Sequence, residues 1–323
     1  MKYFLSCDWG TTSFRIKLAF TNDGGVLVEE SSAEGIARVF EQWQQSGYEE
    51  AERSGFYIDV VHRHIKSIEE KRSQSLSGVP ILISGMASSS MGFIDISYNS
   101  LPFPIDGTSI QIAFIAPSKA FEHDTWVVSG LKAADDVMRG EETQLVGCIE
   151  QEYTVKNEIF IFPGTHSKHI IVKNNYVVDF KTYMTGEIFA LLTRHSILKN
   201  AVEPNRGSER DIDLKVFMMG VNDALSSNLL HAMFKVRTNQ LFEVYNKTEN
   251  YGYLSGLLIG AELKDLLDAE AEIINLVYGL ESGIYYHSAL LALFPSKRIK
   301  YLQDQNATVI GHLKIARLLK IFT

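Results

Sequence analysis

Cysteine is scarce in this chain: Cys7 and Cys148 are the only two among 323 residues, far apart and at no metal or redox spacing. No apolar run approaches the ~20 residues needed to span a bilayer. The opening "MKYFLSCDWG" has one lysine and a short apolar run broken by Asp8, so it does not read as a signal peptide. These shortages point to a reducing cytoplasm and no membrane partner. Positive charge is also short, with 31 Lys and Arg against 39 Asp and Glu, a net charge of −8 and a pI near 5.6. No basic stripe stands out to meet a phosphate backbone, which argues against nucleic acid but not against a small anion in a locally positive pocket. Several nucleotide and hydrolase signatures are missing too: no G-x-x-x-x-G-K-[ST] loop, no G-x-G-x-x-G after a strand, no H-E-x-x-H and no G-x-S-x-G elbow. No low-complexity linker interrupts the chain.

What remains is a soluble globular composition, 46% hydrophobic and 22% charged, long enough for two domains and a sizeable core. The first informative stretch is "FLSCDWGTTSFRIKLAF". An apolar run ends at Asp8, a turn carries Gly10, Thr11 and Thr12, and alternation resumes with Phe14, Ile16, Leu18 and Phe20 on one face. Turns favour such residues in any case. The same set also suits a phosphate-binding hairpin. Glycine admits an anion close to the backbone, N–H groups and hydroxyls donate to phosphate oxygens, and Asp8 would hold a magnesium ion through water.

Strand and helix patterns alternate onward. "GGVLVEESS" reads as the partner strand of the first hairpin. "YIDVVHRHIKSIEEKR" reads as an amphipathic helix with Ile58, Val61, His62 and Ile65 on one side. "VPILISGMASSSMGF" is a buried strand entering a small-residue loop, and "TWVVSGLKAADDVMRGEETQLVGCIE" a strand, an irregular turn and a helix. "NEIFIFPGTHSKHIIVKNNYVVDF" then repeats the opening plan of strand, glycine-and-hydroxyl turn, strand, tight turn and strand. The remainder reads as mostly helical, with "EIINLVYG" a strand. An α/β chain of two domains follows, 1–152 and 153–323, each opening on a glycine-containing hairpin, with a nucleotide between them. Gly256 and Gly260 share a helix face, a spacing that suits close helix packing.

The stretches "DWGTTSFRIKL", "SGMASSSMGF", "DVMRGEETQLVG", "FPGTHSKHI", "MTGEIFALL", "FKVRTNQLF" and "YLSGLLIGAEL" occur in the order found in the 2-dehydro-3-deoxygalactonokinase family. The chain resembles that family from residue 4 to about residue 290. The resemblance implies the actin, hexokinase and Hsp70 ATPase fold: two ribonuclease H-like α/β domains with a nucleotide-binding cleft between them. It also implies transfer of the γ-phosphoryl of ATP to O6 of 2-dehydro-3-deoxygalactonate, with magnesium, in galactonate breakdown. A small sugar acid is then the partner, with a homodimer as the candidate assembly.

On that resemblance Asp8 is the magnesium-side carboxylate, and Gly10, Thr11 and Thr12 cradle the β- and γ-phosphates. Gly164, Thr165 and His166 approach them from the second domain, and Gly279 is the adenosine contact. Lys168 reads equally as a phosphate contact or a solvated strand lysine. Glycerol-kinase-like enzymes carry their catalytic aspartate at a site like "MRGEETQ", which makes Glu141 the base, with Glu142 and Asp136 as alternatives. Acidic residues are favoured in a first helical turn regardless. Arg139 and Arg237 could pair the substrate carboxylate, or serve in structural salt bridges. Gly85, Ser88 and Ser89 could contact the sugar, or simply build a tight turn. Thr185, Gly186 and Glu187 open a helix, with Thr185 as its cap or as a nucleotide contact. The turn after Gly279, "GLESGIYYHSAL", departs from the family by about a residue, which leaves the adenine contacts least defined.

Overall fold

A computed structural model describes residues 2–150, 154, 156–204, 214–278, 283–303 and 305–322. The chain divides into two compact units. The first comprises Met1–Val155, Lys173–Asp179 and Gln303–Thr323, and the second Lys156–Val172 and Phe180–Leu302. The expected division at residue 152 therefore differs from the structure at the far end, where the closing segment joins the first unit. Its reason is packing: the last helix buries Val309, Leu313, Ile315 and Ala316 with Phe4, Leu82 and Val146.

In the first unit a six-stranded sheet runs β3-β2-β1-β4-β8-β7. Its strands are β1 (Tyr3–Trp9), β2 (Phe14–Phe20), β3 (Val26–Ser32), β4 (Ile81–Gly85), β7 (Ile112–Ile115) and β8 (Thr125–Val128). β1 to β3 form an antiparallel meander, while β4 and β8 run parallel to β1. This is the ribonuclease H-like order. Short strands β9 (Leu131–Lys132) and β10 (Val137–Met138) lie in what reads as an irregular turn and form a small sheet with β5 (Asn99–Ser100).

Helices α1 (Ile36–Ser46) and α2 (Arg53–Arg72) cover one face over Trp9, Phe14 and Ile83. Helices α3 (Glu141–Cys148) and α9 (Ala307–Leu318) cover the other. The buried stripe of α2 is Tyr57, Val60, Val61, Ile65 and Ile68, so the expected face is turned and Ile58 and His62 lie at its margin. The cause is Tyr57, which inserts beside Trp9 with ring centroids 5.6 Å apart.

The second unit repeats the plan. β11 (Asn157–Phe162), β12 (Ser167–Lys173), β13 (Tyr176–Tyr183), β14 (Ile273–Tyr278) and β15 (Arg298–Gln303) lie in the order β13-β12-β11-β14-β15, with β14 parallel to β11. β15 is a strand where the sequence reads as helical. The tip of the β12–β13 hairpin counts with the first unit, where Tyr176 and Val177 pair with β6 (Phe103–Pro104).

Helices α4 (Thr185–His195), α5 (Leu214–Ser226), α6 (Leu229–Leu241), α7 (Lys247–Leu263) and α8 (Gly283–Leu293) complete this unit. α5 and α7 cross at the glycines of α7. A Cβ on Gly256 would stand 2.0 Å from Phe217 O, and one on Gly260 2.8 Å from the Val221 Cα. Among the described residues no helix is long and apolar enough to cross a membrane.

Candidate active site

β1 is central and buried from Phe4 to Cys7; Asp8 then emerges with its side chain 24% exposed, and Trp9 is buried again. In register Asp8 lies between Arg15 on β2 and Ser84 on β4. The Arg15 guanidinium stands 3.9 Å from Asp8 Oδ2 and is half exposed. The turn between β1 and β2 closes through Gly10 N donating to Ser13 O at 2.9 Å. The first turn of α1 braces it from behind, Ile36 N donating to Gly10 O and Ala37 N to Thr11 O. Gly35 permits this approach, since a Cβ there would fall 2.3 Å from Thr11 O. Gly10 itself has room, its nearest neighbours being 3.6 Å from a Cβ. Thr12 is exposed and Thr11 partly so.

Two glycines with positive φ close in on Asp8. Gly85 ends β4 at φ +90°, where a Cβ would meet Trp9 O at 2.7 Å and Asp8 Oδ1 at 3.4 Å. Gly140 precedes α3 at φ +109°, where a Cβ would lie 3.9 Å from Asp8 Oδ1 and 3.4 Å from the Gly85 Cα. Only glycine adopts such dihedrals without cost. The ends of β1 and β4 and the start of α3 thus converge on one carboxylate.

Glu141 and Glu142 open α3, about 100° apart around the helix. Glu142 is fully buried and turned back on its own helix. Its two oxygens accept from Gly140 N at 3.0 and 2.8 Å, and Oε1 accepts from Thr143 Oγ1 at 3.0 Å. Burial, and next the charge of Glu141, push its pKa up to about 8. Glu141 is partly exposed.

Three candidates for meeting the sugar, each also read as structural, make hydrogen bonds within the protein. Ser88 donates to Gly85 O and accepts from Arg139 Nη1 at 2.7 Å, and Ser89 donates to Met86 O. The Arg139 side chain is 4% exposed, donates also to Ile96 O, and lies 3.9 Å over the Tyr98 ring. They build the loop after β4, because a buried hydroxyl or guanidinium must find partners and these lie nearest.

In the second unit Gly164 has nothing within 4 Å of a Cβ, and Thr165 is exposed. His166 Nε2 pairs with Glu187 Oε2 at 2.6 Å, and Glu187 N donates to Thr165 O at 3.0 Å. Gly186 lets α4 touch the turn, since a Cβ there would be 2.5 Å from Gly164 O. Lys168 is buried rather than solvated, its Nζ donating to His166 O at 3.0 Å. Thr185 is not the cap of α4. Met184 holds that position, and the Thr185 hydroxyl donates to Glu262. Arg237 lies on α6, bonded to Gln240 Oε1 at 2.6 Å. Gly279 lies outside the described residues.

Arg15 and Glu262 escape the sequence reading. Arg15 is visible in principle, because a tight hairpin places it opposite Asp8. Glu262 has no local signal. Among the described residues no three His, Cys, Asp or Glu side chains gather as a metal-ligand set. The residues near Asp8 fit a cation held mainly by phosphate oxygens and water, the usual habit of magnesium.

A family model described as 2-keto-3-deoxy-galactonokinase matches residues 8–314. The Rhizobium meliloti (strain 1021) protein named Probable 2-dehydro-3-deoxygalactonokinase DgoK1 is 32% identical over 298 residues, 89% of each chain. The Escherichia coli (strain K12) 2-dehydro-3-deoxygalactonokinase is 27% identical over 307 residues, 90% of each. A crystal structure from Sinorhizobium meliloti, assigned to the same kinases, is 27% identical, covers 99% of this chain and 97% of that one, and superposes with a TM-score of 0.78. The Clostridium difficile activator of 2-hydroxyisocaproyl-CoA dehydratase, with bound ADPNP, shares the fold at 10% identity and a TM-score of 0.52, covering 99% and 96%. With the match spanning both units and every motif named above, this chain belongs to the 2-keto-3-deoxy-galactonokinase family.

Proposed function

We propose that the chain transfers the γ-phosphoryl group of ATP to the O6 hydroxyl of 2-dehydro-3-deoxy-D-galactonate. The observation that carries this reading is the convergence of Asp8, Gly85 and Gly140 at the start of α3, inside a family match that spans residues 8–314. Phosphoryl transfer asks for positioning, charge neutralisation and a base near the attacking hydroxyl. ATP with magnesium supplies the electrophilic phosphorus and neutralises charge on the leaving diphosphate.

Asp8 orients the water shell of that ion, and Arg15 sets a positive charge beside it. The Gly10–Ser13 turn offers N–H groups and the Thr11 and Thr12 hydroxyls to phosphate oxygens. The second unit contributes the Gly164, Thr165 and His166 turn and binds the nucleotide, with Gly279 toward adenosine. Glu141 accepts the O6 proton as the new P–O bond forms and the bridge to the β-phosphate breaks. Glu142 keeps its carboxyl group on Gly140 N–H and locks the first turn of α3, which favours Glu141 as the base. Of the two candidates for the substrate carboxylate, Arg139 has a buried side chain, so the partly exposed Arg237 is the better placed.

The test is ADP release from ATP and magnesium with 2-dehydro-3-deoxygalactonate, beside its gluconate epimer and a control without acceptor. Rapid turnover with the galactonate form alone supports the reading. Turnover with the epimer alone would change the substrate. Equal ATP loss without acceptor would replace a kinase with an ATPase.

A further inference from the structure

Behind the second hairpin lies a buried carboxylate that the reaction above does not use. Glu262, near the end of α7, is 2% exposed. Its Oε1 accepts from Ser167 Oγ at 2.7 Å and pairs with His169 Nε2 at 2.8 Å. Its Oε2 accepts from Thr185 Oγ1 at 2.5 Å and from Tyr286 OH at 2.6 Å. A carboxylate offers about four lone-pair sites, and here four donors fill them. Burial pushes its pKa up, but His169 and the hydroxyl donors outweigh that and hold it below its ordinary value. The group is therefore an anion at neutral pH, and each donor is drawn to it by a charge-assisted bond.

The donors come from three places that matter for the nucleotide. Ser167 directly follows His166 in the turn between β11 and β12. Thr185 begins α4 and precedes Gly186 and Glu187, which pack on and bond to that same turn. Tyr286 sits in the first turns of α8. Among the described residues His169 Nδ1 is buried with no hydrogen bond, and Glu262 is the ring's one hydrogen-bond anchor.

We infer that Glu262 is the positioning residue of the Pro163–His166 turn, clamping β12, α4 and α8 around one charge so that the turn's donors stay aimed at a polyphosphate. The inference rests on the phosphoryl-transfer reading, and two readouts keep their failures apart. Ser167→Ala and Tyr286→Phe each delete one donor with little change of volume. Each raises KM for ATP about tenfold, the effect of one charge-assisted bond, lowers kcat less, and leaves KM for the sugar acid unchanged. In the ligand-free variants, amide hydrogen exchange at residues 164–166 and 186–187 speeds up about tenfold while the rest of the second unit keeps its protection. Glu262→Gln is not conservative, because its NH2 faces two donors, and its effect on both readouts is larger. The inference is overturned if exchange in the turn is unchanged, if KM for ATP stays within about twofold, or if both KM values and exchange across the whole unit rise together, as a general loosening would produce. A wild-type chain that turns over no ATP would remove the kinase reading, while the exchange measurement would still decide the clamp.

Discussion

The two adjacent glutamates of α3 separate cleanly at the level of single side chains. Glu141 is partly exposed, while Glu142 is fully buried and folds back onto Gly140 N–H. Glu141→Gln is expected to lower kcat by about 10²–10⁴, the range of general-base catalysis, with KM for ATP little changed. Glu142→Gln should stay within a few-fold of the wild type; steady-state kinetics of the pair checks both. Glycines divide in a similar way. Gly10 and Gly164 have room for a methyl group in the protein itself, and neither has a positive φ, unlike Gly85 and Gly140. Gly10→Ala and Gly164→Ala should leave the melting temperature unchanged or slightly raised, while KM for ATP rises as the methyl group meets the phosphates. Normal kinetics in both variants would remove the two turns from the site.

Among the elements, both hairpins were legible because glycine-and-hydroxyl turns between alternating runs have few other readings. Asp8 at the end of β1 and Glu141 at the start of α3 stand on the elements the sequence assigned them. For Ser88, Ser89 and Arg139 the sequence left both readings open, a sugar contact or a structural role in the loop. A hydroxyl or guanidinium looks the same whether it meets a sugar or Ile96 O, and only the folded partner tells them apart. Glu262 was hidden for a stronger reason, its partners lying 95, 93, 77 and 24 residues away. Helix crossing through small residues was legible, and it gives a paired test on α7. Gly256→Ala should destabilise by about 1–3 kcal/mol, because its methyl would strike Phe217 O. Gly252→Ala, one turn away with open space, should stabilise by about 0.5–1 kcal/mol; urea denaturation compares them.

For the whole molecule, two buried groups shape stability against pH. Burial lowers His312 from its ordinary 6.5 to about 3, and burial with the Glu141 charge raises Glu142 from 4.5 to about 8. Between about 3 and 6.5 the unfolded chain binds more protons at His312, so stability from that group grows with pH. Between 4.5 and about 8 the folded chain binds more at Glu142, so stability from that group falls. The two contributions cancel from 4.5 to 6.5, and their sum declines on either side. Thermal melts across pH should show Glu142→Gln flattening the alkaline decline while the acid one persists. A decline identical to that of the wild type would place the alkaline titration elsewhere.

The crossing of α3 and α9 reaches beyond energetics. A Cβ on Gly147 would be 1.9 Å from Ala307 O, and one on Gly311 2.0 Å from Thr143 O, so each helix backbone lies against the other. The helix that carries Glu141 is thereby seated on a segment the ribosome makes only after the entire second unit. A growing chain can shape the second hairpin while α3 still lacks its seat. On the proposed roles, the turn assigned to the nucleotide is therefore made before the seat of the helix assigned to the base.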